Sequence, residues 1–186
     1  PEPAMTAIAI APETATWKLD PTHSSVEFAV KHLMIATVKG TFSGIDATLG
    51  TEETGTKPSL NVTIDVNTIS TNNQQRDNHL RSADFFDVAK YPTISFVSRR
   101  IEGELDGEFK LIGDLTMHGV TREVALDATF EGAAKDPWGG SRIAYSATGK
   151  LRRSDFGLTW NQVLETGGVA VSDDIKIRID TEFVRQ

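Results

Sequence analysis

From Trp17 onward, apolar and polar residues alternate with a period of two, the spacing of a strand with one buried face. Val26, Phe28 and Val30 alternate with Glu27, Ala29 and Lys31. Leu60, Val62, Ile64 and Val66 alternate with Asn61, Thr63 and Asp65. Phe109, Leu111, Gly113, Leu115 and Met117 share one parity, as do Val124, Leu126, Ala128 and Phe130, and then Ile143, Tyr145, Ala147 and Leu151. In the last run Ile175, Ile177, Ile179 and Phe183 face one way, while Lys176, Arg178, Asp180 and Glu182 face the other. One apolar and one charged face is the pattern of antiparallel strands with a wet side.

Turn chemistry separates these runs. Glu52–Pro58, Asp106-Gly107, His118-Gly119, Asp136–Gly140 and Gly167-Gly168 carry residues that tolerate positive φ or pre-set a turn. Their short spacing predicts hairpins. Val38, Gly40 and Phe42 share a parity that Ile45, Ala47 and Leu49 do not, which predicts a glycine-assisted bulge near Gly40 and Gly44 that bends a long strand. One helix is expected over Asn73–Ala83, capped by Thr71 or Asn72, with a second short turn at Ser154–Leu158. Leu80 and Ala83 are its apolar positions, so it belongs on the surface or over one end of the fold. About eight strands with so little helix leave a sandwich or a closed up-and-down barrel, and consecutive hairpins favour the barrel. Eight strands enclose a space that side chains fill or that holds one slender ligand.

Composition narrows the class without naming a chemistry. The chain has 186 residues, 39% hydrophobic and 24% charged, with 19 Lys+Arg against 26 Asp+Glu and a net charge of −7. An acidic balance without a basic run argues against nucleic acid or an anionic membrane as partner. The absence of cysteine excludes disulfides, thiolate zinc sites and a cysteine nucleophile. No run approaches the ~20 apolar residues of a membrane span, so the chain is not expected to cross a membrane. Residues 1–16 read as a flexible N-terminal extension, with Met5 as an initiator and Pro1–Ala4 left over from expression, and 17–186 as a single barrel domain. No basic segment precedes the short apolar run Ala7–Ala11, which favours a cytoplasmic protein. A periplasmic or secreted one is the alternative if an upstream signal was removed.

None of the familiar phosphate, zinc, redox or nucleophile-elbow motifs is present, and no cofactor, metal or catalytic set is expected. His23 and His118 fit as histidines that hold turns, and His79 sits on the polar helix. His32 shares the parity of Val26, Phe28 and Val30 and should point inward at a strand end, as a head-group contact or as a satisfied core histidine. Asp20, Asp77, Asp84 and Asp155 lie near turns or helix ends, where capping explains them. Arg76 and Arg81 flank His79 and read either as head-group contacts at a barrel mouth or as a solvated face. Trp160 reads as a mouth residue or as core.

Several motifs together resemble one family. Asp20-Pro-Thr-His-Ser-Ser-Val-Glu-Phe, Val30-Lys-His-Leu and Val38-Lys-Gly-Thr-Phe-Ser-Gly are similar to the opening of the bacterial YceI-like family. Arg76-Asp-Asn-His-Leu-Arg-Ser-Ala-Asp-Phe-Phe-Asp, then Tyr91-Pro-Thr-Ile-Ser-Phe, is the most specific match, and Gly113-Asp-Leu-Thr-Met-His-Gly-Val-Thr-Arg-Glu-Val agrees with the next hairpin. The resemblance runs from about Trp17 to Val184. It implies an all-β, lipocalin-like, extended eight-stranded antiparallel barrel with one or two short helices, whose tunnel holds a long isoprenoid or other acyl-type chain. The implied function is non-catalytic binding, storage or transport of a polyprenol or quinone-type lipid, with a homodimer compatible. The expected tunnel residues are Phe28, Val30, His32, Phe42, Val62, Ile64, Phe96, Leu115, Leu126, Ala128, Tyr145, Ala147, Ile177 and Ile179, with Gly113 and Gly149 keeping the bore open. Arg76, His79, Arg81 and Trp160 are the candidate mouth contacts. Two alternatives stand beside this reading: a small enzyme acting on such a lipid, with His32 and His79 beside the head group, and a filled-barrel interaction module without ligand.

Overall fold

The strand pattern closes into a ring. The computed structural model describes residues 15–51, 58–165 and 167–186. Its strands are β1 (Ala15–Leu19), β2 (Ser25–His32), β3 (Ala36–Phe42), β4 (Ile45–Thr51), β5 (Ser59–Asp65), β6 (Ile69–Ser70), β7 (Thr93–Gly103), β8 (Glu108–Met117), β9 (Val120–Lys135), β10 (Ser141–Arg152) and β11 (Val171–Arg185). β1 pairs with β4 on one side and with β11 on the other, and the order β1-β4-β5-β7-β8-β9-β10-β11 is therefore a closed antiparallel barrel of eight strands. The remaining strands extend its wall. β2 continues β1 after a 3₁₀ turn at Pro21–His23 and pairs with β11, β3 precedes β4 and pairs with β2, and β6 pairs with the end of β3. The up-and-down meander read from the alternation is thus preserved, with three of its long strands broken.

The break between β3 and β4 falls at Ser43-Gly44, where the parity changes. Gly44 donates its N–H to Thr68 Oγ1 (3.0 Å) and its carbonyl accepts from the Asp65 N–H (2.8 Å). A Cβ at Gly44 would lie 2.7 Å from Thr68 Cγ2, so the kink needs the missing side chain. The expected turn at Glu52–Pro58 lies, apart from Pro58, outside the described residues. So does the expected N-terminal extension, apart from Ala15 and Thr16, which already belong to β1.

The one α-helix among the described residues, α1 (Gln74–Arg81), starts one residue later than expected and is capped by Asn73, whose Oδ1 accepts from the Arg76 N–H (2.9 Å). Neither Thr71 nor Asn72 caps it. Asn72 adopts a left-handed φ of 59°, and Thr71 instead turns its N–H and hydroxyl to buried Asp77 Oδ1. Arg76 donates to the Thr71 hydroxyl and carbonyl at 2.7 and 2.8 Å. This polar knot fixes the helix at one end of the barrel, hereafter the α1 end. There Val66, Ile69, Val88, Met117, Phe156 and Leu158 form a closed apolar cluster. A second cluster, including Trp17, Leu19, Leu49, Ile143 and Phe183, packs β1, β4, β10 and the end of β11 toward the opposite end. A third, Phe109, Leu126, Ala128 and Ala147, lies on β8, β9 and β10. Among the described residues no helix is long and apolar enough to cross a membrane.

Candidate functional site

Inward-facing side chains from nearly every strand line one cavity of about 270 Å³. Along β11 alone, Val171, Ile175, Ile177, Ile179, Thr181 and Phe183 all face it. At ~3.3 Å per residue, Ile175–Phe183 spans roughly 26 Å of strand, or about 20 Å along an axis to which strands tilt by ~35–45°. The barrel is therefore not filled by its own side chains.

The wall has few polar groups, and most are committed to the wall itself. Ser24 donates to the Asp20 carbonyl (2.7 Å), Thr181 to the Tyr145 carbonyl (3.0 Å) and Ser146 to Glu131 Oε1 (2.6 Å). Burial pushes the Tyr145 phenol up to about 12, with Asp106 adding to the shift. A buried water needs two to four polar partners, which this wall does not present along most of its length. The space suits a slender apolar guest.

Phe28, Val30, Phe42, Val62, Ile64, Phe96, Leu115, Leu126, Ala128, Tyr145, Ala147, Ile177 and Ile179 line this cavity. His32 does not. It ends β2 opposite Val171, on the tapering edge of the wall, and its side chain is exposed, because the hairpin continues past the region where the barrel closes behind it. Gly113 and Gly149 do not hold the bore open themselves. A Cβ on Gly113 would collide with the Phe96 ring, and one on Gly149 with Leu126 Cδ2. These glycines give up their own space so that larger neighbours lie against the wall, as Gly40 does for the Phe28 ring.

The four expected mouth residues do not line the cavity. Arg81 donates to the Asn67 and Ile69 carbonyls and to Asn78, and Arg76 belongs to the Thr71 knot, so both guanidiniums fasten α1 to the segment around β6. His79 is 2.8 Å from Asp84 Oδ2 and packs edge-on against Trp160 and Phe85, at ring distances of 4.8 and 5.1 Å. Phe85 lines the cavity, so Trp160 and His79 form a layer behind its end. His32 and His79 do not make a paired polar site in the lumen. His23 and His118 hold turns as expected, against Asp20 Oδ2 (2.8 Å) and the Phe156 carbonyl (3.1 Å).

Several lining residues lie outside the expected set, Phe85, Phe86 and Leu80 among them, and Arg153 is the charged one. It is 5% exposed and donates Nε to the Ser172 carbonyl (2.9 Å), Nη1 to those of Leu158 (2.8 Å) and Trp160 (2.9 Å), and Nη2 to that of Val171 (3.2 Å). Burial holds its pKa below the usual guanidinium range, opposed by Asp173. The signal was its parity, two residues after inward Leu151 in the same run.

Elsewhere, Asp20, His23 and Glu182 bring ligand-type atoms within 4.8 Å of one another. The Arg142 guanidinium already bridges this group, with Nη1 2.9 Å from Asp20 Oδ2 and 2.8 Å from Glu182 Oε1, so the cluster is an ion-pair network.

The comparisons with known proteins agree with this architecture. A UPF0312 protein of Staphylococcus aureus is 39% identical over 166 residues, covering 88% of this chain and 94% of that protein. The crystal structure of a Campylobacter jejuni YceI protein is 37% identical, covers 82% of this chain and 87% of that one, and superposes with a TM-score of 0.70. At the level of fold alone, Burkholderia cenocepacia BcnA (21% identical, TM-score 0.75, 88% and 98% covered) is similar. So is a polyisoprenoid-binding domain from Saccharophagus degradans implicated in plant cell wall breakdown (16% identical, TM-score 0.68, 92% and 98% covered). The YceI-like domain matches residues 17–183, and with that match across a closed, apolar-lined barrel the chain belongs to the YceI-like family.

Proposed function

We propose that the protein is a non-catalytic carrier that holds a long-chain isoprenoid lipid, of the polyprenol or quinone type, inside the barrel. The observation that carries this reading is the cavity: about 270 Å³, elongated along the strands and walled by side chains such as Phe28, Val62, Leu115, Ala147 and Ile177. A polyisoprenoid is a thin, flexible, almost wholly apolar rod. Each buried CH₂ contributes roughly 0.8 kcal/mol, so a five-carbon unit brings about 4 kcal/mol before the cost of ordering the chain. A few units supply tight capture without a charged clamp. The isoprenoid-binding neighbour of the same fold supports the choice of guest.

The test is native mass spectrometry of the purified protein followed by organic extraction. The expected result is a co-purified isoprenoid lipid, and protein stripped of it should bind farnesol with a rise in melting temperature. Protein that arrives empty and takes up no farnesol would overturn the reading.

A further inference from the structure

The hairpin between β2 and β3 is built in an unusual way. Its turn spans His32–Ile35, closed by the Ile35 N–H to the His32 carbonyl at 3.2 Å, and both central residues are left-handed: Leu33 at φ 53° and Met34 at φ 66°. His32 pairs with Ala36, so the loop holds three residues, and two successive left-handed positions favour Asn, Asp or Gly, because side chains with a Cβ are strained there. The other non-glycine residues with positive φ among those described are Asn72, Asp87 and His118, types that tolerate that region. Among the described residues only this turn places long apolar side chains there. It also presents them to solvent: Leu33 is 41% exposed, Met34 54% and Ile35 82%. Val163, 86% exposed, belongs to the neighbouring loop, which reaches the hairpin through the Leu33 N–H to Ala170 carbonyl bond and through Met34 lying over Gly168. Strain combined with exposed apolar side chains is a feature that folding alone does not reward.

We propose that this tip docks on the surface of a lipid bilayer. Three observations favour a bilayer over a second protein. The patch is a convex tip of a few hundred Å² at most, below the ~800 Å² per partner of a standard protein interface. No acidic residue occurs between Glu27 and Asp46 in a chain of net charge −7, and Lys31 and His32 are exposed at the base of the tip, where they can reach headgroups. The tip also adjoins the cavity, since Val30 lines it two residues before His32 and Val171 lines it opposite. The proposal rests on the carrier reading for its direction, because an isoprenoid guest resides in membranes.

The experiment is flotation of the protein with vesicles of phosphatidylcholine, alone or mixed with phosphatidylglycerol. The wild-type protein should float with both. L33N/M34G installs the turn's preferred residues and should melt at the same or a higher temperature. Its vesicle-bound fraction should fall by roughly tenfold or more, the worth of one large apolar side chain. Ile35→Ser, which loses almost no folded contact, should weaken binding severalfold without changing the melting temperature. Unchanged flotation in both variants overturns the proposal, as does a wild-type dimer that L33N/M34G converts to monomer without vesicle binding. Protein that carries lipid but does not float removes the docking surface and leaves the carrier standing. Protein that floats but never holds lipid removes the carrier and leaves the docking surface.

Discussion

Arg153 sets a cation in the wall of a largely apolar cavity, and its four hydrogen bonds all end on backbone carbonyls. The arrangement ties Leu158 and Trp160 to Val171 and Ser172 around one guanidinium, next to the apolar cluster at the α1 end. Only the planar fork of arginine reaches so many acceptors at once. Arg153→Met should destabilise the protein by roughly 3 kcal/mol or more, because it leaves buried carbonyls unpaired. Arg153→Lys should restore only part of that loss. Urea unfolding decides it, and a Met variant as stable as wild type would refute the role. The residue was legible only as a parity anomaly. His32 shows the opposite failure: the alternation assigns it to the inner face, but parity does not show that the barrel wall ends before it.

At the scale of elements, the junction between β1 and β2 is held by Arg142 on β10, which pairs with Asp20, Glu182 and Asp136. Hydrogen bonds from Thr22, His23 and Arg142 hold the Asp20 carboxyl well below the usual carboxylate range, and the Gly140 N–H and Arg142 do the same for Asp136. A lowered carboxylate contributes stability that is complete above about pH 4 and is lost as pH falls through its folded value. His23 is raised, chiefly by Asp20, so its contribution is complete below about pH 6.5 and is lost as pH rises through its folded value. Arg142→Gln should therefore be less stable at neutral pH and should lose less on going below pH 4 than wild type. Urea midpoints over a pH series test this, and parallel curves for the two proteins would refute it. The phase break at Gly44 was visible in the residues because a one-residue slip flips every later side chain. The way β11 serves both β1 and β2 was not visible, because the pairing partners lie more than 100 residues apart in the chain.

For the molecule as a whole, the property that matters is the space left inside. Ala128 and Ala147 face each other across β9 and β10 and both line the cavity. Ala147→Trp or Ala128→Trp should fold, since the new ring enters empty space, and should cut lipid loading severalfold. Extraction and native mass spectrometry measure it, and full loading of both variants would show that the guest lies elsewhere. Which residues face inward was written in the alternation, because a strand turns successive side chains to opposite faces whatever it pairs with. Whether they meet in the middle was not. That depends on ring closure, on strand register and on local accommodations such as Phe96 lying over Gly113. The inner volume is a difference summed over strands distant in sequence, so only the closed barrel decides that a lumen remains and where its wall stops.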